Sequence, residues 1–239
     1  MTVRAELTAE AATIWLDRPE KLNALDLEMS GGIQRALDEF AEAGRPLVIR
    51  SAVPGTFVSG ADLTELARRT RREALQRVNH RLFTAIEEYP WPSIAVVGGH
   101  ALGGGCELAL ACDFRLSSES ATWGLPEVRL GIIPSAGGLA RLPRTVGVPA
   151  AKRLIMTGKR IGAAEAHAIG LVDEVTTDLD EALARLLGEL GKASMTAVRY
   201  AKEAMSAPGD HRRSTDAALQ ALCFESDEAR RRLGAAMRR

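Results

Sequence analysis

An apolar run, Ile94-Ala-Val-Val97, leads through Gly98 to Leu102 into three consecutive glycines, Gly103 to Gly105. A segment that reads as a helix, from about Gly104 to Cys112, follows. The run shows no alternation of apolar and polar residues, which is the pattern of a strand covered on both faces. Such a strand needs other elements packed on either side of its sheet. The segment therefore directs the chain toward a layered α/β architecture.

The flanking sequence agrees. Val3 to Leu7 and Ala12 to Leu16 read as two short strands around a polar turn. Asp26 can cap a helix with the stripe Ile33, Leu37, Phe40 and Ala41, which Gly44 and Pro46 end. Leu47 to Ser51 is a short strand. Leu75, Val78, Leu82 and Ile86 share one face of a second helix, stopped by Pro90 and Pro92. Phe114 to Ser118 and Leu171 to Thr176 read as further strands, and Pro149 opens a short helix that Gly158 closes. Past about Asp178 the chain reads as helical throughout. Leu179, Leu183, Leu186, Leu187 and Leu190 form one stripe, and Val198, Ala201 and Met205 another. A Pro208-Gly209 break precedes two last helices. Strand–helix alternation thus fills residues 1–178, and a helical region fills 179–239.

Charge narrows the function. Lys plus Arg and Asp plus Glu both number 31, so the chain has no overall basic field for nucleic acid or an anionic membrane. Local arginine clusters occur at Arg68, Arg69, Arg71 and Arg72, at Arg230 to Arg232, and at Arg238-Arg239. Each reads as a solvated helix face, or as a contact to a phosphate-bearing ligand or a neighbouring subunit. Cys106, Cys112 and Cys223 show no C-x-x-C spacing, which argues against a disulfide framework and a structural zinc site. Met1 to Arg18 holds no uninterrupted apolar run, and no segment is long and apolar enough to span a bilayer. The expectation is a soluble, cytoplasmic protein that binds neither nucleic acid nor membrane.

Three places carry chemistry. The glycine triplet gathers free N–H groups at the positive end of a helix. It lacks G-x-G-x-x-G spacing and a G-K-[ST] sequence, so neither dinucleotide nor P-loop binding is indicated. Glu107 follows in the first turn of that helix. It reads either as a carboxylate stabilised by the helix dipole or as an acid/base group with a pKa shifted by apolar neighbours. Glu127, after Pro126, reads either as a surface loop residue or as the second member of such a pair. In Phe57-Val-Ser-Gly-Ala-Asp-Leu63, Gly60 permits a tight turn and Asp62 can cap a helix beginning near Leu63. Taken alone this is a strand-to-helix turn; within a site it would offer the Ala61 N–H to a ligand.

Five segments together resemble the enoyl-CoA hydratase/isomerase (crotonase) family. They are Arg18-Pro-Glu-Lys-Leu-Asn-Ala-Leu25, Gly60-Ala-Asp62, Ala101-Leu-Gly-Gly-Gly-Cys-Glu107, Gly124-Leu-Pro-Glu-Val128 and Gly131-Ile-Ile-Pro-Ser-Ala-Gly-Gly138. The similarity covers roughly residues 1 to 206. It implies an α/β fold, a crotonase-like spiral of ββα units, followed by a C-terminal helical trimerisation region. A homotrimer or a hexamer built as a dimer of trimers goes with that fold. It implies an acyl-CoA thioester as substrate, with no metal and no redox cofactor, coenzyme A being part of the substrate. By motif position the oxyanion hole falls to the N–H groups of Ala61 and Gly104. The pair Glu107 and Glu127 corresponds to members that hydrate 2-enoyl-CoA, with Glu107 activating water and Glu127 delivering a proton. A double-bond isomerase or another acyl-CoA lyase of the family is the alternative, and a non-catalytic, RNA-binding member a further one. Lys21, Leu22 and Ala24 match the loop that meets coenzyme A, and Asp62, Leu63 and Thr64 match the strip beside the thioester and pantetheine. Ser135 stands where glycine is usual, near the expected water. Trp123 replaces a usual phenylalanine, and is expected either to reshape the acyl pocket or to pack in the core.

Overall fold

The computed structural model describes residues 2–206 and 212–236. The Pro208-Gly209 break and Arg238-Arg239 lie outside the described residues. Two strands, β1 (Val3–Leu7) and β2 (Ala12–Leu16), pair antiparallel. A 3₁₀ turn (Pro19–Lys21) leads to α1 (Leu27–Phe40), whose first turn is capped by Asp26 accepting from the Met29 amide at 2.8 Å. Next come β3 (Leu47–Ser51), β4 (Thr56–Val58), α2 (Leu63–Arg68), α3 (Arg71–Gln76) and α4 (Val78–Glu87). Then follow β5 (Ser93–Val97), β6 (His100–Leu102), α5 (Gly104–Leu110), β7 (Phe114–Ser118) and β8 (Thr122–Gly124). A 3₁₀ turn (Glu127–Leu130) precedes α6 (Gly138–Thr157), kinked at Gly147, then β9 (Arg160–Gly162), α7 (Ala163–Ala168) and β10 (Glu174–Thr176). Four helices close the chain: α8 (Leu179–Lys192), α9 (Met195–Ser206), α10 (Arg212–Glu225) and α11 (Asp227–Ala236).

The strands form a six-stranded sheet, order β1-β2-β3-β5-β7-β10, and a four-stranded sheet, order β4-β6-β8-β9. From β3 onward the chain alternates between them. One strand joins the large sheet, the next joins the small one, and helix follows: β3-β4-α2, then β5-β6-α5, then β7-β8-α6. Pairing is parallel throughout the large sheet apart from β1 with β2, so each return crosses over through a helix. This is the ββα spiral that the motif resemblance implies.

Strand β5 shows why its sequence is uniformly apolar. Ala95 and Val97 face the main core with Ile14, Ile49, Ile33 and Phe40. Ile94 and Val96 face the other side with Val48 and Leu116, under Leu179, Leu183, Leu186, Leu187 and Leu190 of α8. The helical region expected from residue 179 therefore begins with a helix that closes the core of the large sheet.

Several local expectations are corrected. The small sheet is absent from the sequence reading, because its strands are three residues long and show no periodicity. The helix expected over Leu75 to Ile86 is two helices, broken where Arg77 adopts φ 53°, and Leu75 is exposed. A capping box at Thr70 and Glu73 starts α3 independently. Ala41 is exposed and lies just past the end of α1. On α9, Ala201 and Met205 are exposed, and the buried residue is Lys202, whose Nζ donates to Asp113 Oδ2 at 2.7 Å and Trp91 O at 3.1 Å.

Asn23 fastens the loop from Arg18 to Ala24 onto this frame. It is fully buried with φ 54°, a conformation Asn tolerates better than most residues. Its side-chain amide donates to Ser51 Oγ at 2.8 Å and Phe57 O at 3.0 Å, and its oxygen accepts from the Arg18 amide at 2.7 Å. Replacing it leaves those buried partners unpaired. Asn23→Ala should lower the unfolding free energy by about 2–4 kcal/mol in urea titrations. A loss below about 0.5 kcal/mol would mean that the loop is held by other contacts.

Candidate active site

Three strands of the small sheet run parallel side by side, with Thr56 beside His100 and Leu102 beside Gly124. Their carboxyl ends lie on one edge, the edge at which parallel sheets present ligand-binding loops. Strand β4 runs into Ser59-Gly60-Ala61, β6 into Gly103-Gly104, and β8 into Leu125-Pro126-Glu127. Three segments distant in sequence thus meet around one cavity of about 1120 Å³.

The first segment is held in an extended bridge. The Leu25 amide donates to Gly60 O at 2.8 Å, and the Asp62 amide to Leu25 O at 2.9 Å. Ala61 lies between these two bonds, and its N–H takes no part in them. Arg18 secures the bridge from below. It donates to Ala24 O at 2.7 Å and pairs with Asp62 and Asp26, each at 3.0 Å. The Thr64 amide, and after it the Arg18 guanidinium, holds the Asp62 carboxyl below its ordinary range. Asp62 therefore serves chiefly as a structural clamp at the edge of the cavity.

The glycine triplet opens α5. Gly103 has φ 53° and ψ −123°, which excludes an ordinary side chain, and a Cβ there would stand 3.2 Å from Glu127 Oε1. A Cβ on Gly105 would fall 2.2 Å from Val58 O, so only glycine lets the helix seat against β4. The Cα of Gly104 lies close to Ala61, since a Cβ on it would be 4.0 Å from Ala61 N. As the first residue of α5, Gly104 has no carbonyl within the helix for its N–H. Ala61 and Gly104 are therefore neighbours at the cavity wall.

Both glutamates are buried and line the same cavity, at 3% and 9% exposure for Glu107 and Glu127. Their surroundings differ. Glu107 Oε1 accepts from the amides of Ala136 and Gly138, each at 2.8 Å. Glu127 Oε2 is buried with no hydrogen-bond partner among the described residues. Burial pushes the Glu107 carboxyl up to about 7, against the two amides and helped by the nearby Glu127 charge. Burial also raises Glu127, opposed by its own backbone amide. Burial weighs more on Glu107, whereas fixed donors to the charged form act on Glu107 far more than on Glu127.

Most sequence-predicted positions reach this cavity. Lys21, Ala24, Ala61, Asp62, Leu63 and Thr64 line it, as do Gly104, Glu107, Glu127 and Ser135. Two do not. Trp123 is fully buried and its indole N–H donates to Ser117 Oγ at 3.2 Å, so it packs in the core beneath the small sheet. Leu22 is half exposed, with φ 48° at the end of a 3₁₀ turn, and stays off the cavity wall.

The sequence reading missed His80, Leu130, Ile132 and Ile133, which also line the cavity. The α4 face carrying His80 is polar and gave no signal. His80 Nδ1 is buried without a partner among the described residues, and burial followed by the Arg77 charge lowers the imidazole pKa. A second cavity of about 460 Å³ adjoins the first and shares Leu63, Leu66, Leu130 and Ile132 with it. Burial pushes both the Cys106 and Cys112 thiols up, Cys112 to about 12, so neither supplies a thiolate nucleophile at neutral pH. Among the described residues no cluster of three His, Cys, Asp or Glu side chains is disposed to hold a metal ion.

The raised Glu107 pKa has a signed consequence for stability. The native carboxyl keeps its proton up to about pH 7, whereas an unfolded glutamate loses it near 4.5. The folded state binds more protons between those values, so this group's contribution to stability is lost as pH rises through them. Glu107→Gln removes the ionisation and should gain stability relative to the parent between pH 4.5 and 8. Urea unfolding of both proteins across that range measures the gain. Parallel stability curves would contradict the burial argument.

A family model described as enoyl-CoA hydratase/isomerase matches residues 6–237. Crotonyl-CoA hydratase of Syntrophomonas wolfei is 36% identical over 235 residues, which cover 93% of this chain and 90% of that protein. The human enoyl-CoA hydratase domain-containing protein 2, mitochondrial, is 37% identical over 222 residues, covering 88% of this chain and 76% of that one. Among solved structures, an enoyl-CoA hydratase from Bacillus anthracis superposes with a TM-score of 0.93 at 34% identity. It covers 100% of this chain and 96% of its own. The enoyl-CoA hydratase of Thermoplasma volcanium gives 0.90 at 33% identity, covering 98% and 97%. The spiral of ββα units, the two amides beside a pair of buried glutamates and these matches together make the chain a member of the enoyl-CoA hydratase/isomerase family.

Proposed function

We propose that the chain is a 2-enoyl-CoA hydratase, adding water across the 2,3 double bond of an enoyl thioester. One observation carries this reading: two buried carboxyls with unlike hydrogen bonding lie at the cavity wall that also holds the neighbouring Ala61 and Gly104 amides. The thioester oxygen accepts hydrogen bonds from those two amides, which stabilise the charge that develops on it. One such donor is worth about 3 kcal/mol in a dry site. The doubly anchored Glu107 accepts a proton from water as the water oxygen bonds to the β-carbon. The π electrons move toward the α-carbon and the thioester oxygen. Glu127, without comparable donors to stabilise its anion, delivers its proton to the α-carbon. Water's proton and that of Glu127 balance the step, and proton exchange restores the pair.

The chemistry needs no metal or redox cofactor, because the thioester itself acidifies the α-position, and coenzyme A enters as part of the substrate. Cationic residues at the cavity, Lys21, Arg68 and Arg69, suit its phosphates. The apolar annex beside Leu63, Leu66, Leu130 and Ile132 suits an acyl tail. A homotrimer or a dimer of trimers is part of the same reading. It is supported by exposed apolar side chains on the last three helices, namely Met205, Leu222, Phe224 and Leu233.

Purified protein with crotonyl-CoA should show loss of the conjugated enoyl-thioester absorbance, with 3-hydroxybutyryl-CoA as product. Glu107→Gln and Glu127→Gln should each lower kcat about 10²- to 10⁴-fold while coenzyme A binding is retained. Tight binding of crotonyl-CoA without turnover would redirect the assignment to another reaction of the family. Near-parental turnover in either variant would remove that glutamate from the mechanism.

A further inference from the structure

We propose that Arg141 is a positioning residue, which aims the main-chain amides that hold Glu107. The proposal rests on the hydratase reading for its kinetic arm only.

Arg141 lies in the first turn of α6 and is almost completely buried, an uncommon place for a guanidinium unless it is paired. Its Nη1 donates to Ala136 O at 3.0 Å. Its Nε and Nη2 both donate to Glu87 Oε2, at 3.0 and 2.6 Å. Glu87 is the last residue of α4, and its other oxygen accepts from Arg144 at 3.3 Å. Ala136 is therefore gripped from both sides. Its carbonyl is held by Arg141, and its amide donates to Glu107 Oε1, as does the Gly138 amide two residues on. A continuous relay runs from the end of α4 through a rigid planar fork to the carboxylate at the cavity wall.

The fork shape is the point. A guanidinium donates in fixed directions to two sites at once, which an ammonium cannot reproduce. Without it the Ala136 carbonyl loses a buried partner, and the turn Ala136–Gly138 is free to rotate its two amides away from Glu107. The geometry leaves Glu107 in the cavity but no longer held in its reactive orientation. The Arg141 charge also favours the ionised form of Glu107, acting with the two amides and against the neighbouring Glu127. Other titratable and charged neighbours are the Cys106 thiol beside Glu107, and the Cys112 thiol, His80, Glu87 and Arg144 around Arg141.

The test compares Arg141→Lys, Arg141→Gln and Glu87→Gln with the parent, using crotonyl-CoA over pH 5.5 to 9. A positioning role predicts kcat lower by about 10- to 100-fold, the scale of a small misplacement of a reacting group, with KM changed less than about threefold. In Arg141→Gln the acid limb of the rate profile should also move to higher pH. Arg141→Lys keeps the charge, so it should lose rate with a smaller move of the limb. Glu87→Gln leaves Arg141 in place and provides the same readout if the Arg141 variants fold poorly. A second measurement does not depend on turnover: ¹³C NMR titration of the Glu107 carboxyl, assigned by its absence in Glu107→Gln. The Glu107 midpoint should rise in Arg141→Gln. Folded variants with parental kcat and an unmoved Glu107 titration would overturn the proposal. So would a loss of melting temperature with no change in either pH readout, which is the signature of a merely structural arginine. If the parent does not hydrate crotonyl-CoA, the hydratase reading fails, and the titration alone decides the role of Arg141.

Discussion

The site depends on three strands of three residues each. Strands β4, β6 and β8 are too short to be stable alone. They persist because each directly follows a strand of the large sheet or a tight connection from it, and because Gly105 lets α5 pack directly on β4. Their parallel pairing puts three carboxyl ends at one edge. A one-residue slip between β6 and β8 would carry Glu127 away from Gly103, against which its Oε1 now packs. The large sheet supplies the stability, and the small sheet converts it into alignment.

Within that alignment, electrostatics and packing pull in opposite directions. Burial keeps two carboxyls close to apolar side chains and penalises their charges, the Glu107 pKa moving up to about 7 as a result. Main-chain donors act the other way at Glu107, while among the described residues Glu127 Oε2 has no partner. Such an arrangement is poor for folding stability and suited to moving protons near neutral pH. The surrounding anchors are correspondingly polar and buried: Arg18 against Asp26 and Asp62, Asn23 against Ser51 and Phe57, and Arg141 against Glu87.

What the amino-acid pattern revealed follows from length and periodicity. Strands of five residues with an apolar face, such as Ala12–Leu16 and Leu47–Ser51, could be read to the residue. The α8 stripe could be read as well, since its leucines recur at helical spacing. The small sheet could not, because three residues hold no period and its pairing is wholly non-local. Glu107 and the glycine triplet were legible from residue type and position, and their grouping with Glu127 and Ala61 came from motif resemblance. Trp123 takes the core position, one of its two readings, and Leu22 lies off the cavity wall; neighbouring positions in a strand or turn point to opposite sides, and spacing alone does not say which side faces the cavity. His80 was invisible because its helix face is polar, and Arg141 because it links α6 to Glu87 at the end of α4, far away in the chain.

The two neighbouring amides at the cavity wall belong to the main chain of Ala61 and Gly104. Main-chain groups are encoded by no particular codon. Saturation mutagenesis at these two positions would report only how much room a side chain has, and would leave the donors themselves untouched unless proline were introduced. A deep mutational map of this protein would thus highlight the carboxyls, arginines and glycines around the cavity and pass silently over the main-chain groups of its wall. Exchanging an amide for an ester linkage, by chemical rather than genetic means, is the perturbation matched to such a site.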